Sequence, residues 1–340
     1  MNKKELETAI SGGSAPVWIL TDGKAGDEAQ CIGVAEALGL AYERRVVRPR
    51  APFTWAMPYG PIDPRESELR PGSPLAPPFP RLAIASGRRA VPYLKRLKRI
   101  SDGYTFTVFL KDPRTGPATA DFIWVSTHDR LRGDNVMVTL TAPHRMSAAR
   151  LARASATPDP RLDGIAHPRV AVLVGGDSRH HRFSDADVHA LVSGLETWAR
   201  IGARLMITTS RRTPPALARA LVDLSARGGH FFWDGTGDNP LAAMLARAEA
   251  IVVTADSTNM IGEAAATGRA VHVFHPGGGH AKIGKFLSEL AKNGILHPFP
   301  GPLKTTTYEP LNSTPEIAAA IRDALLRRAA AGQSTIASQP

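Results

Sequence analysis

The sequence predicts an α/β protein built from two Rossmann-like, doubly wound domains. Short apolar runs rich in β-branched residues alternate with helical segments, a pattern typical of parallel sheets covered by helices. At 340 residues the chain is long enough for two such domains. A stretch at 147–168, rich in Ala, Arg, Asp and Pro, carries no sheet pattern and is the predicted linker.

Residues 250–277 are the most informative stretch because they hold one complete unit of strand, helix and strand. An apolar run breaks into a polar turn, and a helix closed by Gly268 leads to a second apolar run. Ligands of parallel sheets bind beyond the carboxyl ends of the strands, where a helix N-terminus offers N–H groups to an anion. The candidate binding residues here are Asp256, Ser257, Thr258, Asn259 and Glu263.

Asn259 and Glu263 are four residues apart and share one face of the predicted helix. A carboxylate at this place could accept hydrogen bonds from a ribose diol while the turn holds phosphate. The alternative is a capped helix with a solvated glutamate, because Ser, Thr, Asn and Asp cap helices in many proteins.

The charge balance favours an anionic partner. The net charge is +11, whereas 43% hydrophobic and 21% charged residues are ordinary for a globular protein. A nucleotide, a nucleic acid or an anionic membrane surface would fit, and a GC-rich genome could also produce this composition. Without a recognition motif or a stacking-aromatic array, we expect no specific nucleic-acid partner.

Cysteine usage and the N-terminal residues indicate the compartment. The single cysteine, Cys31, excludes a disulfide framework and a cysteine-based zinc site. The first ten residues are too polar for a signal peptide, and no apolar run approaches the length of a membrane span. We therefore expect a cytoplasmic protein, with a peripheral position on the inner face of the membrane left open.

The first domain is predicted at 16–146, after an N-terminal extension at 1–15. Its predicted strands lie at 17–20, 45–47, 82–85, 105–110, 122–125 and 136–140, and its predicted helices at 29–38 and 90–98. The turn after the first strand places Lys24 between two glycines, which lets backbone N–H groups approach a ligand. Asp22 and Asp27 are the candidate catalytic residues, as a general base. They could equally cap the helix and pair with Lys24.

A proline-rich insert at 51–80 precedes a basic helix. Nine prolines exclude regular structure there, and the aromatic residues argue against a solvated linker. We expect the insert to pack on the domain, the alternative being an apolar face for a membrane or an acceptor. The helix carries Lys and Arg opposite a narrow apolar stripe, which fits anionic head groups or simply a solvated face. The basic cluster comprises Arg88, Arg89, Lys95, Arg96, Lys98 and Arg99.

Polar residues also follow later strands of the first domain, where ligand sites form. The candidate acceptor-side residues are Ser86, Gly87, Arg88, His128 and His144. His128 and Asp129 are chain neighbours, which rarely face one another, so we do not predict a dyad from them.

The second domain is predicted at 169–312, followed by a closing helix at 313–331 and a disordered tail at 332–340. Its predicted strands lie at 170–174, 205–208, 231–233, 251–253 and 271–274, with helices at 185–200, 215–225, 240–247 and 259–267. Two of these strands end in glycines, hydroxyls and arginines suited to phosphate. The candidate residues are Gly176, Asp177, Ser178, Arg182, Ser210 and Arg211. His180 and His181 indicate zinc only weakly, because no third ligand stands at a suitable spacing.

The motif set resembles a known family. It comprises VWILTDGKAGDEAQCIGVAEALGL, ASGRRAVPYLK, VSTHDRLRGDNVMVTLTAPHR, VAVLVGGDSRHHRFS, MITTSRRTP and VTADSTNMIGEAAATGRAVHVF. It is similar to the bacterial relatives of the plant mitochondrial-fission factor called elongated mitochondria. Residues 250–277 also resemble the nucleotide-sugar motif of GT-B glycosyltransferases, which implies two domains facing across a cleft.

The resemblance implies two alternative functions. A GT-B-like enzyme would move a sugar from a nucleotide-diphosphate donor to an envelope or lipid-linked glycan, with no metal or other cofactor. A membrane-associated adaptor, as the plant relatives are described, would use only its surface. Polar groups at three strand ends of one domain favour the enzyme, because a scaffold has no need of them.

Overall fold

The computed structural model describes residues 17–337, so the predicted N-terminal extension lies outside the described residues. The described chain forms two compact units. One unit runs to Arg145 and resumes at Ser313, and the other comprises Met146–Asn312. The predicted α/β fold class is confirmed, since each unit contains a parallel six-stranded sheet.

The first unit is built on a sheet in the order β2-β1-β3-β4-β5-β6 with every pair parallel. Its strands are β1 Val17–Thr21, β2 Tyr42–Val46, β3 Leu82–Ala85, β4 Phe106–Leu110, β5 Phe122–Ser126 and β6 Val136–Thr139. The central strands are buried throughout, as a parallel sheet covered on both faces requires.

Helices cover both faces of this sheet. They are α1 Ala25–Leu38, α2 Phe53–Ala56 and α3 Ala90–Ile100. The four-residue α2 lies within the proline-rich insert, so the expectation of no regular helix there is corrected. Alternate residues of β1 separate the two layers, because successive side chains of a strand point to opposite faces. Val17 and Ile19 join the cluster that includes α1, whereas Trp18 and Leu20 join the cluster that includes α3.

The proline-rich insert packs on the first unit, as predicted from its aromatic content. Met57 and Leu75 are buried in the same cluster as α3. Part of the insert nevertheless faces solvent, since the side chains of Trp55, Tyr59 and Leu69 are 77%, 74% and 83% exposed. The insert therefore packs on the unit through some of its apolar residues and exposes others to solvent.

The second unit repeats the plan with a parallel sheet in the order β10-β9-β7-β11-β12-β14. Its strands are β7 Arg169–Val174, β9 Arg204–Thr209, β10 Phe231–Trp233, β11 Ala250–Thr254, β12 Ala270–Phe274 and β14 Leu296–Phe299. A separate antiparallel ribbon pairs β8 His181–Arg182 with β13 Gly277–Gly278. Its helices are α4 Ala148–Ala156, α5 Asp185–Arg200, α6 Pro215–Gly228, α7 Leu241–Arg247, α8 Thr258–Ala265 and α9 Ala281–Lys292.

The predicted linker and residues 332–337 of the predicted disordered tail differ from the sequence-based expectation. The predicted linker contains α4, which packs against α7 of the second unit. The closing helix, α10 Thr314–Ala337, packs against α1 and buries Ile317 and Ile321 in the core of the first unit. It includes residues 332–337, so this part of the predicted disordered tail is helical, while 338–340 lie outside the described residues.

In each sheet the strands that follow the first strand lie on both sides of it, so the strand order changes direction there. The first strand is β1 in one unit and β7 in the other. From β1 the chain adds β2 on one side and β3 on the other, and from β7 it adds β9 on one side and β11 on the other. The loops on the two sides of a reversal diverge and leave a crevice at the carboxyl edge, which is where open α/β sheets bind ligands.

None of the helices within residues 17–337 combines the length and the apolar character needed to cross a membrane.

Two helical glycines provide a matched test of the packing. A Cβ at Gly33 in α1 would lie 2.5 Å from the carbonyl oxygen of His144, whereas nothing lies within 4 Å of a Cβ at Gly284 in α9. We expect Gly33→Ala to lower the free energy of unfolding by about 1–3 kcal/mol through overpacking. Gly284→Ala should raise it by about 0.5–1 kcal/mol, because alanine favours the helix. Urea unfolding of both variants measures these changes, and equal stability would contradict the close contact at Gly33.

Candidate functional site

The carboxylate of Asp256 joins the strand-end loops of the second sheet at its reversal point. The Asp256 side chain is fully buried. Its Oδ2 accepts hydrogen bonds from the backbone N–H of Gly176 at 3.0 Å and from Nη2 of Arg212 at 2.8 Å. Its Oδ1 accepts one from the hydroxyl of Thr254 at 2.7 Å. Residues after β7, β9 and β11 thus converge on one buried charge.

Arg212 connects the same loops from the outer side. Its Nη1 donates to the carbonyl oxygens of Gly176 and Asp177 at 3.1 and 2.9 Å, and its own carbonyl accepts from the N–H of Asp177 at 3.1 Å. The sequence predicted Arg211 as the ligand-binding arginine of this loop. Both arginines are exposed to solvent, but it is Arg212 that bonds to the neighbouring loops.

The glycines after β7 are required by this packing, and the N–H of Gly176 is already bonded to Asp256. A Cβ at Gly175 would lie 2.2 Å from both carboxylate oxygens of Asp256, and one at Gly176 would lie 2.0 Å from the carbonyl oxygen of Arg212. The expectation that Gly176 lets a phosphate approach is therefore corrected. Asp256, predicted to bind ligand, also lies beneath the loops with its oxygens bonded to protein groups.

Asp177 and Ser178 shape the next turn of the loop. Asp177 Oδ1 accepts from the N–H of Phe183 at 3.0 Å, and the Ser178 hydroxyl accepts from the N–H groups of His180 and His181. The Arg182 side chain is 85% exposed, and its Nη1 lies 3.8 Å from Oδ2 of Asp177. Within this loop, the arginine is therefore placed to reach an anion in solvent, while Asp177 and Ser178 hold the backbone.

Helix α8 begins at the same edge. Ser257 is its N-cap, and the hydroxyl accepts from the N–H of Met260 at 3.4 Å. Thr258, Asn259 and Glu263 are partly exposed residues of this helix, and the four-residue spacing places Asn259 and Glu263 on one face, as predicted. Ser210, in the neighbouring loop, accepts a hydrogen bond from the N–H of Arg212 at 3.1 Å.

A group of histidines flanks the ribbon formed by β8 and β13. The rings of His180 and His280 lie 4.4 Å apart between centroids, and the His181 side chain is buried. Desolvation, and then repulsion from His280, lowers the pKa of His180, and desolvation with repulsion from His181 lowers the pKa of His275. Within the described part of the chain, no group of three His, Cys, Asp or Glu side chains could hold a metal ion.

The predicted catalytic residues form a polar cluster at the reversal point of the first sheet. The Asp22 side chain is fully buried, and its Oδ2 lies 2.9 Å from Nζ of Lys24. Asp27, in the first turn of α1, is buried and pairs with the ammonium of Lys111, which directly follows β4. Lys111 has a φ of +140°, a strained conformation for a residue with a side chain.

The acceptor-side residues have separate roles. Ser86 is buried and donates its hydroxyl to the carbonyl of Leu110, so it completes the sheet and is not available to an acceptor. Gly87 has a φ of +93° and Arg88 is exposed. His128 is half-buried, with Nδ1 2.8 Å from the Ser126 hydroxyl.

The expectation that His144 contacts a ligand is corrected by its burial. Its backbone exchanges hydrogen bonds with the hydroxyl of Thr314 at the start of α10, and burial lowers the pKa of His144 to about 4. The residue is therefore a packing element of the first unit.

Arg212 and Lys111 were not among the residues predicted from the sequence to form a site. Arg212 stands in an Arg-Arg pair, and a sequence does not show which of two neighbours in a turn faces the protein. Lys111 directly follows an apolar run, so its position at a strand end was the available signal.

Comparison with known proteins establishes the family. The chain belongs to the mitochondrial fission ELM1 family, whose model matches residues 25–325. Mitochondrial fission protein ELM1 of Arabidopsis thaliana is 27% identical over 278 residues, covering 73% of this chain and 65% of that protein. An uncharacterized protein of Rickettsia prowazekii, RP120, is 30% identical over 165 residues, covering 46% of each chain. The chain thus spans less than two thirds of the length of either relative.

Solved structures share the fold. UDP-GlcNAc 2-epimerase from Neisseria meningitidis, in a crystal structure with bound UDP-GlcNAc, aligns with a TM-score of 0.51 and 11% identity. The alignment covers 92% of this chain and 99% of the epimerase. This likeness supports the fold of two parallel-sheet units that the sequence predicted.

Neighbouring arginines test the role of Arg212. We expect Arg212→Ala to lower the free energy of unfolding by about 1–3 kcal/mol, because the buried Asp256 carboxylate loses a charged donor. Arg211→Ala, a change of the same size at an exposed position, should alter it by less than about 0.5 kcal/mol. Urea unfolding compares the two, and equal midpoints would show that Arg212 does not hold the loops.

Proposed function

We propose that this chain binds a nucleotide-diphosphate sugar at the carboxyl edge of the second sheet and transfers the sugar to a hydroxyl acceptor. The acceptor we propose is an envelope or lipid-linked glycan. The observation that supports the proposal best is the convergence of three strand-end loops on Asp256 at the reversal point of the sheet. A site whose loops are fixed before the ligand arrives loses less entropy on binding.

The proposed diphosphate site uses groups left at the outer surface of these loops. Arg182 and Arg211 are exposed at this edge and can make bidentate contacts with phosphate oxygens. The N-terminus of α8 adds a positive dipole and backbone N–H groups. Arginines and a helix N-terminus can take the diphosphate charge that a metal would otherwise neutralise, so we propose transfer without a metal or other cofactor.

The proposed nucleoside contacts come from α8. Glu263 lies one turn inside the helix from Asn259 and is partly exposed, so its carboxylate can accept from a ribose diol. Ser257 and Thr258 stand at the start of the helix, beside the phosphates. The epimerase with the same fold is described as binding UDP-GlcNAc, which makes a uridine nucleotide the first ligand to test.

Glu263→Ala tests the proposed nucleotide site. We expect UDP, or one of GDP, CDP and ADP, to raise the melting temperature, since a ligand at 100 times its Kd stabilises by about 2.7 kcal/mol. Glu263→Ala should weaken the binding of that nucleotide by about 1–3 kcal/mol, or roughly 5- to 150-fold in Kd, because the variant lacks a charged hydrogen-bond acceptor. Isothermal titration calorimetry measures the affinity, and addition of EDTA should leave it unchanged.

Glu196→Ala is the matched control for this experiment. Glu196 lies on α5 of the same unit and pairs with Arg227 at 3.1 Å, so its loss should not alter nucleotide affinity. If none of the four nucleotides shifts the melting temperature, the proposed donor site is wrong. If EDTA abolishes binding, the metal-free proposal fails while the nucleotide site stands.

A peripheral membrane position is a further part of the proposal, and it would also suit a non-catalytic adaptor. It is supported by the exposed apolar tips of the insert, Trp55, Tyr59 and Leu69. The insert is tied to the basic helix α3 because Glu68 pairs with Arg96 and the Tyr93 hydroxyl donates to Glu66. Apolar groups beside cationic ones are typical of surfaces that bind anionic lipid.

The charge available to a membrane is smaller than the sequence suggested. Of the six basic residues at 88–99, Arg96 pairs with Glu68 and Lys98 pairs with Asp121 at 3.0 Å. Arg88, Lys95 and Arg99 are exposed. Each basic residue near an anionic surface contributes about 1 kcal/mol before screening, so the apolar tips must add to the attraction.

Vesicle sedimentation tests the membrane proposal. We expect the protein to sediment with phosphatidylserine-containing vesicles at low salt, and the double reversal of Lys95 and Arg99 to Glu to reduce this strongly. Replacing Trp55 and Leu69 with Ser should have a similar effect by removing the apolar contact. In the control variant the exposed Lys285 and Lys292 of α9 are both replaced with Glu. This variant should sediment with the vesicles like wild type. If the wild-type protein does not sediment with these vesicles at low salt, the membrane proposal is wrong.

A further inference from the structure

The polar cluster at the reversal point of the first sheet has one charged group whose bonding is incomplete. The Asp22 side chain is fully buried, and its Oδ2 is paired with Lys24. Among the residues that the structure describes, neither oxygen has a hydrogen-bond partner, so Oδ2 has the ion pair with Lys24 and Oδ1 has no polar contact of either kind. A buried polar atom without a partner is costly, so its persistence at a ligand-binding edge calls for an explanation.

A second carboxylate faces the same space. A Cβ at Gly87 would lie 2.9 Å from Oδ2 of Asp27 and 3.5 Å from Oδ1 of Asp22. The side-chain position that the glycine leaves empty is therefore lined by two carboxylate oxygens from different elements. The pairing of Asp27 with Lys111 fixes one of them, at the cost of the strained Lys111 backbone.

The charges of this cluster select the chemistry of its ligand. Asp22 and Asp27 are balanced by Lys24 and Lys111, so the four side chains carry no net charge. A phosphate would meet the two carboxylates, and a metal cation would meet the two ammonium groups. A neutral ligand rich in hydroxyl groups fits better, because hydroxyls donate to carboxylates and can accept from lysines.

An exposed aromatic ring lies at the same edge of the sheet. The hydroxyl of Tyr59 donates to the carbonyl of Arg114, three residues after Lys111 in the loop that follows β4, at 3.3 Å. The ring of Tyr59 is otherwise largely in solvent. Flat aromatic surfaces next to hydrogen-bonding groups suit ligands that have both an apolar face and a polar edge, as a pyranose ring does.

We infer that the first unit carries a saccharide site in which Asp22 Oδ1 and Asp27 Oδ2 accept hydrogen bonds from adjacent hydroxyl groups above Gly87. Lys24 pairs with Oδ2 of Asp22, and the lysine side chain is 64% exposed. A hydroxyl that donates to Oδ1 leaves this ion pair in place, so the buried charge stays compensated. The inference rests on the proposed function in one respect, since the bound saccharide would be the acceptor of the transfer.

In that role Asp22 is the group that takes the proton. Asp22 Oδ1 would be the atom that accepts the proton of the hydroxyl group that it binds. Asp27 and Lys111 act as positioning residues, because the ion pair holds the Asp27 carboxylate in place beside the second hydroxyl.

Saturation-transfer NMR without any nucleotide tests the site directly. The probes are the methyl glycosides of glucose, galactose, mannose and N-acetylglucosamine, with inorganic phosphate as the charged comparison. We expect at least one glycoside to bind wild-type protein. Binding should weaken about tenfold or more in Asp22→Asn, because a hydrogen bond to a charged acceptor is lost. Asp27→Asn should weaken it as well, and it provides a second variant if Asp22→Asn fails to fold.

Asp121→Asn is the control, since Asp121 immediately precedes β5, at the amino edge of the same sheet. It should bind the glycoside like wild type. Absence of signal for all four glycosides, equal binding by folded Asp22→Asn and wild type, or binding of phosphate alone would each overturn the inference. Saccharide binding that persists when no nucleotide binds would uphold this site and reject the proposed donor site, so the two failures are distinguishable.

Discussion

The buried carboxylate of Asp256 is the interaction on which the second unit depends. A fully buried charge is tolerated only when it is paired and hydrogen-bonded, and here the partners come from loops far apart in sequence. The two glycines after β7 are required by the same packing, because any side chain would collide with Asp256 or with the Arg212 backbone. One charge therefore sets the positions of the backbone around a whole sheet edge.

The charged side chains at the reversal point of the first unit are arranged differently. Its reversal point also gathers charged side chains, but they balance in pairs, Asp22 with Lys24 and Asp27 with Lys111, and do not share a single centre. In the second unit both oxygens of Asp256 accept hydrogen bonds from protein groups. In the first unit Asp22 Oδ1 has no hydrogen-bond partner within residues 17–337. Related strand orders thus surround their buried carboxylates in two different ways.

Much of this architecture could be predicted from sequence because parallel strands are buried on both faces and appear as apolar runs. The polar residues after those runs marked both sheet edges correctly. Roles within an edge could not be assigned, since Asp256 and Arg211 look equally suited to a ligand until burial separates them. The ribbon of β8 and β13 was missed because two-residue strands of His, Arg and Gly carry no hydrophobic period.

The return of α10 to the first unit makes that unit discontinuous in sequence. Ile317, Ile321 and Leu325 pack in the same cluster as β1 and α1, so part of this core is supplied by a segment that follows the entire second unit. During synthesis the second unit can complete its sheet while the first still lacks this layer. The unit whose synthesis begins first is therefore completed last, because the apolar residues that α10 covers have no partner until the end of the chain is made.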